Sequence, residues 1–294
     1  MNTMFKGTGV AIVTPFRKYG TIDFGSLEKL IEHIITNNVD FIVVLGTTGE
    51  SVTLSHDEKN AVIDFVCETA GGRVPVVIGV GSNNTEHVIK DLRSLNLTKG
   101  DGILSVAPYY NKPQPKGLYN HFKNIASASP LPVILYNVPG RTGSNIPADI
   151  TLQLAYDIDN IVAIKEASGN FPQIETILRE RPENFNVLSG DDPLTLPLIA
   201  LGAEGVISVT ANAFPKEFSD MVNYALGSNF PEARKLHYKL KDVMDALFAD
   251  GNPAGIKAAL DSMGFINNNL RLPLVKVNKS VNSQIKKVIE EFGN

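Results

Sequence analysis

The sequence has no tryptophan, a single cysteine and no long apolar run. With Cys67 alone, no disulfide can form within the chain. The helical pattern of Ala61, Val62, Phe65 and Val66 around it predicts a packed thiol, not a reactive one. No stretch approaches the roughly 18 uninterrupted apolar residues that a membrane span needs. The N-terminal MNTMFKGTGVAIVTPF shows neither an apolar leader core nor a small-residue cleavage site, so a cytoplasmic address is expected. Excess charge of either sign is missing too. Lys and Arg number 27 against 31 Asp and Glu, a net charge of −4, which leaves no basic field for nucleic acid or an anionic membrane. The five histidines (His33, His56, His87, His121, His237) are scattered without paired ligand spacing, so no metal is expected. Low-complexity tracts and obvious internal repeats are absent.

What is present is enough apolar material for a sizeable core: 43% of 294 residues are hydrophobic. Short β-branched runs recur with amphipathic segments between them. They predict strands near Gly9–Thr14, Phe41–Leu45, Val74–Gly79, Gly102–Val106, Val133–Tyr136, Ile161–Lys165, Asn186–Ser189 and Val206–Val209. Each run is nearly all apolar, as parallel strands buried on both faces must be. The intervening helices have readable ends. Ser55-His56-Asp57-Glu58 has capping-box spacing, Pro147, Pro172 and Pro215 suit first turns, and Gly71-Gly72 and Gly202 suit helix ends. About eight strand–helix units in about 220 residues, without a dinucleotide fingerprint after the first strand, favour a closed (β/α)8 TIM barrel over an open sheet. From about Asn229 the pattern is helical only: Glu232–Phe248, Ala254–Met263 and Ser280–Phe292, with a Pro-containing linker at Leu270–Val277. The expected organisation is a catalytic barrel over 1–228 and a C-terminal helical extension over 229–294, the latter without a catalytic motif of its own.

In such a barrel the chemistry belongs at the C-terminal ends of the strands. Lys165 ends the run Ile161-Val162-Ala163-Ile164 and would point into the barrel mouth. Burial disfavours an ammonium, and a neutral amine is the nucleophile that imine formation with a carbonyl requires. A strand-end lysine can equally snorkel to solvent, as Lys276 in Leu274-Val275-Lys276-Val277 is expected to do, and local sequence leaves both readings of Lys165 open. Tyr136 ends the neighbouring strand. It is either packing or a proton relay, with Thr47 or Tyr110 as the next hydroxyl. The turn Gly46-Thr47-Thr48-Gly49 is either a plain glycine turn or a cradle of N–H and hydroxyl groups for a carboxylate. Arg141 is either a surface arginine or a bidentate carboxylate clamp. Asp191-Asp192-Pro193 reads as a helix N-cap, not as metal ligands.

Taken together and in order, GVAIVTPF (Gly9–Phe16), GTTGES (Gly46–Ser51), PYYNKP (Pro108–Pro113), LYNVPGRT (Leu135–Thr142), IKEAS (Ile164–Ser168), LSGDD (Leu188–Asp192) and GVISVTAN (Gly205–Asn212) resemble the dihydrodipicolinate synthase branch of the pyruvate-dependent Schiff-base aldolase family. The resemblance implies an imine between Lys165 and pyruvate, and a proton relay of Tyr136, Thr47 and Tyr110, with Tyr110 crossing from a neighbouring subunit. It implies that Thr48, helped by the backbone around Gly190 and Ile207, holds the pyruvate carboxylate. Arg141 would bind L-aspartate 4-semialdehyde. No cofactor is implied, and the assembly would be a homo-oligomer, either a tetramer built as a dimer of dimers or a dimer. Sister branches (N-acetylneuraminate lyases and 2-keto-3-deoxy-sugar-acid aldolases) share the lysine and tyrosine, but VPGRT and PYYNKP lean to the synthase. A non-catalytic carboxylate-binding barrel is the competing class, although no catalytic group is missing. Where the family pattern places a lysine-inhibitor site, His56, Asn83 and Tyr109 are present. Its second histidine is Lys59 here and its glutamate is His87. Loss of a carboxylate weakens the hold on a cationic amino acid, so weak or absent lysine feedback is expected.

Overall fold

The computed structural model describes residues 4–293; the first three residues of the segment read for a leader, and Asn294, lie outside them. Eight parallel strands close into one barrel in sequence order: β1 (Gly7–Ala11), β2 (Phe41–Val44), β3 (Val76–Gly79), β4 (Gly102–Val106), β5 (Val133–Asn137), β6 (Ile161–Glu166), β7 (Asn186–Ser189) and β8 (Gly205–Ser208). Helices α1 (Phe24–Thr36), α2 (His56–Ala70), α3 (Thr85–Ser94), α4 (Pro115–Ala128), the single turn α5 (Pro139–Thr142), α6 (Ala148–Asp157), α7 (Phe171–Glu180), α8 (Thr195–Ala200) and α9 (Pro215–Leu226) follow the strands in turn. The chain ends in α10 (Phe230–Phe248), α11 (Ala254–Ser262) and α12 (Lys279–Phe292), the C-terminal helical extension. No described helix is long and apolar enough to cross a membrane.

Both faces of each strand are apolar because both are covered. Phe41, Val43, Val77, Leu104, Ile134, Ala163, Leu188 and Ile207 fill the barrel, while Ile42, Val44, Ile78, Ile103, Leu135, Ile164 and Val206 pack outward under the helices. This two-residue alternation decides which polar side chains reach the mouth. With Ala163 inside and Ile164 outside, Lys165 faces in and Glu166 faces out. With Ile134 inside and Leu135 outside, Tyr136 faces in and Asn137 faces out.

Closure is made at β1 and β8, where Gly7 pairs with Gly205 and Thr8 with Val206. A Cβ on Gly205 would lie 2.0 Å from the Gly7 carbonyl oxygen, so the two backbones approach as only glycine allows. The first strand is shorter than the apolar run predicts. Past Ala11 the N–H of Val13 turns to the Asn212 side chain (3.2 Å), Thr14 donates to the Gly49 carbonyl (2.7 Å), and Pro15 has no N–H to offer.

The capping box at Ser55 and Glu58 is present, Gly71 ends α2 in the left-handed conformation, and Pro172 and Pro215 sit in first turns. Pro147 instead occupies the N-cap position of α6, one place before the first turn expected for it. The stretch read as a linker is anchored. Arg271 clasps both carboxylate oxygens of Glu58 and donates to the Gly20 and Thr53 carbonyls. Its guanidinium holds the Glu58 carboxyl down to about 2.

Candidate active site

Strand register sets the first wall of the site. Tyr136 on β5 is the direct partner of Lys165 on β6, so both side chains project into the mouth at one level. The Lys165 side chain is 5% exposed, and its Nζ lies 4.4 Å from the centre of the Tyr136 ring. Among the described residues it has no hydrogen bond and no ion pair. This is not a lysine that snorkels to water; it is buried and packed on an aromatic face. Gly190, just past β7, makes room for it: a Cβ there would come within 3.0 Å of Lys165 Cε and 2.7 Å of the Ala167 methyl.

The second wall is the Gly-Thr-Thr-Gly turn. Thr47–Gly49 and Ser51–Thr53 form two 3-10 turns joined at Glu50, which is left-handed (φ 53°, ψ 33°). Thr48 is buried, and its Oγ1 accepts a hydrogen bond from Asn252 Nδ2 (3.0 Å). Arg141, on α5, donates through its guanidinium to the Asn252 carbonyl at 3.1 Å. Thr47 is exposed on the rim. A cavity of about 480 Å3 joins Lys165, Tyr136, Thr47, Thr48, Arg141 and Gly190. A side chamber of about 240 Å3 shares Thr47, Tyr136 and Arg141 and extends to Tyr109. Together they offer a concave pocket with a few converging polar groups.

Not every expected residue reaches this cavity. Ile207 packs beneath it in the barrel interior. Tyr110 stands 84% exposed outside it, in a left-handed conformation (φ 75°). His56, Lys59, His87 and Tyr109 line an open pocket of about 590 Å3 that adjoins the side chamber at Tyr109, and Asn83 does not line it. The N-cap reading holds for the position of Asp191, with Pro193 in the first turn, but not for Asp192. Asp191 holds the N-cap position of the short turn Asp192–Leu194, but makes no side-chain cap bond. Asp192 instead reaches across to accept the N–H groups of Val209 (3.2 Å) and Thr210 (2.7 Å), tying β7 to the loop after β8. Both carboxyls are raised by burial.

Three features escaped sequence reasoning. The extension reading missed that α10 roofs the cavity with Met244, Asp245 and Phe248, and that Asn252 follows them. Asp191 lines the same cavity. Behind Lys165, the outward-facing Glu166 carboxylate accepts from Asn137 (2.5 Å), Ser168 (3.0 Å) and Gln173 (3.4 Å), and burial pushes it up to about 7. A polar pair at matched strand ends, Asn137 and Glu166, was the available signal. Among the described residues no three His, Cys, Asp or Glu side chains converge as metal ligands.

A closed parallel barrel with a buried lysine–tyrosine pair at one rim defines the class of barrel proteins whose strand ends build a small-molecule site. The Dihydrodipicolinate synthetase family matches residues 4–292, and the chain belongs to that family. A 4-hydroxy-tetrahydrodipicolinate synthase of Parabacteroides distasonis is 49% identical over 288 residues, 98% of this chain and 97% of that protein. Among solved structures, a monomeric dihydrodipicolinate synthase variant superposes with a TM-score of 0.97 at 40% identity, covering 99% of this chain and 98% of the other. The chloride-inhibited dihydrodipicolinate synthase of Acinetobacter baumannii, complexed with pyruvate, gives a TM-score of 0.95 at 41% identity, covering 98% and 99%.

Proposed function

We propose that the protein is a cytoplasmic 4-hydroxy-tetrahydrodipicolinate synthase that condenses pyruvate with L-aspartate 4-semialdehyde on Lys165, in the diaminopimelate route to lysine. The observation that carries this reading is Lys165 itself: buried, without an ion pair among the described residues, stacked on Tyr136 and facing Thr47 and Thr48 across one cavity. It is supported by family membership and by the pyruvate complex of the Acinetobacter relative. In this reading residues 1–228 carry the chemistry and residues 229–294 form the extension that covers it.

Lys165 Nζ attacks the pyruvate carbonyl, and loss of water leaves an iminium. The Thr48 hydroxyl and the backbone near Gly190 hold the carboxylate beside it. Loss of a methyl proton gives the enamine, whose terminal carbon attacks the aldehyde. The Tyr136 phenol carries protons to and from these centres, relayed by Thr47 and by Tyr110 of a second copy. The semialdehyde's amino group then attacks the iminium carbon, closing the ring and expelling Lys165 as free amine. Arg141 orients the second carboxylate. The exposed, left-handed Tyr110 supports a homo-oligomer in which it completes a neighbour's relay.

Arg141→Ala is expected to raise the KM for the semialdehyde roughly 10-fold or more while leaving that for pyruvate near its original value. A steady-state assay titrating each substrate reads this directly, and an unchanged semialdehyde KM overturns the role. Feedback is expected to be weak. In the pocket of His56, Lys59, His87 and Lys90 the lining carboxylate is Asp91, which lies 3.9 Å from the Lys59 ammonium. Millimolar L-lysine should leave turnover nearly unchanged, and inhibition at micromolar concentration refutes this.

A further inference from the structure

The most deeply enclosed ion pair lies outside the cavity. Lys257 on α11 and Glu50, 207 residues away, are both fully buried, with Nζ 2.5 Å from Glu50 Oε1. The ammonium also donates to the Asn269 carbonyl (3.0 Å) and sits 4.2 Å above the centre of the Phe16 ring. The second oxygen of Glu50 accepts the backbone N–H of Arg271 at 3.0 Å. Both carboxylate oxygens are therefore held from the C-terminal segment.

Stripping water from two charges costs about as much as their attraction returns, and an apolar pair of like volume would join two elements as well. What the pair does specify is the backbone at Glu50. That residue is left-handed without being glycine, a conformation that persists only when its surroundings over-determine it. It terminates the turn that presents Thr47 and Thr48. The same C-terminal segment touches Thr48 directly, through Asn252.

We infer that Lys257 is a positioning residue for the carboxylate subsite: by holding Glu50 in place it fixes the turn that aims Thr48 at pyruvate. This rests on the reading of Thr48 given above. The C-terminal helices are then part of the substrate site at a distance, not only its roof.

The test is the double variant Lys257→Met, Glu50→Gln, which removes both charges and leaves none orphaned. It is expected to fold, with the KM for pyruvate raised roughly 10-fold, kcat at saturating pyruvate within about three-fold, and the KM for semialdehyde unchanged. A folded double variant with an unaltered pyruvate KM overturns the inference. Hydrogen exchange on the unmodified enzyme reads the same coupling without any substitution. Pyruvate should slow exchange across 254–271 as well as 46–54, and protection confined to 46–54 overturns the inference. Borohydride capture separates the two failures. If the unmodified enzyme forms no pyruvate adduct, the substrate reading falls. If it forms one while the exchange of 254–271 and the variant's KM do not respond, only the positioning role falls.

Discussion

Lys165→Ala is expected to abolish covalent capture of pyruvate and to lower kcat by roughly 10³-fold or more, about 4 kcal/mol of barrier. Among the described residues the cavity lining contains no second lysine that could take over. The other enclosed amine, Lys257, is pinned to Glu50 and Asn269 outside the cavity. The fold should survive. Lys165 makes no hydrogen bond or ion pair among the described residues, so its removal leaves no orphaned charge of the kind that unfolds proteins. Borohydride reduction with pyruvate followed by mass spectrometry, together with a melting curve, separates the outcomes. An adduct that persists unchanged in Lys165→Ala ends the imine assignment.

The largest effect on stability is expected at barrel closure. Gly205→Ala places a Cβ 2.0 Å from the Gly7 oxygen and 2.6 Å from its nitrogen, at a φ of 155° that a side chain rarely adopts. The obstacle is backbone on both sides, in strands buried under helices, so no flexible side chain can give way. Relief requires β8 to move off β1, opening the ladder from Gly7↔Gly205 to Val10↔Ser208. A loss of about 3–5 kcal/mol is expected, or loss of soluble protein altogether. Gly140→Ala, where a Cβ meets nothing within 4 Å, should be nearly silent and serves as the control. Chemical denaturation of both variants checks this, and a Gly205→Ala midpoint equal to that of Gly140→Ala contradicts it.

Much of this molecule was legible because burial on both faces leaves a plain record. Phe41, Ile42, Val43 and Val44 read as a doubly covered strand, and eight such runs separated by helical patterns, without a dinucleotide fingerprint, favoured a barrel over an open sheet. Lys165 stood out because a charged residue closed such a run. Boundaries were less legible. β1 stops three residues before the predicted end because Asn212, 199 residues from Val13, captures its N–H, and no local pattern encodes a partner so distant. Lys257 was visible as a lone charge in the apolar stretch Ala254–Ala259, yet nothing nearby names Glu50 as its partner. The Asp191–Asp192 pair looked like a cap by type and by its proline; Asp191 does hold that position, whereas the fold sends Asp192 across to another strand's loop.

Local pattern carried the doubly buried strands, the strand-end positions of Lys165 and Tyr136, and the glycine-rich turn, because apolar runs and turn residues are local properties. Tertiary structure alone decided that Tyr136 and Lys165 share a register and that α10 roofs the cavity. It also decided that a lysine from α11 pairs with Glu50 at the end of the threonine turn, and that Tyr110 stands outside the cavity of its own chain. Those outcomes depend on how distant segments pack around one another, and packing of that range has no period to be read along the chain.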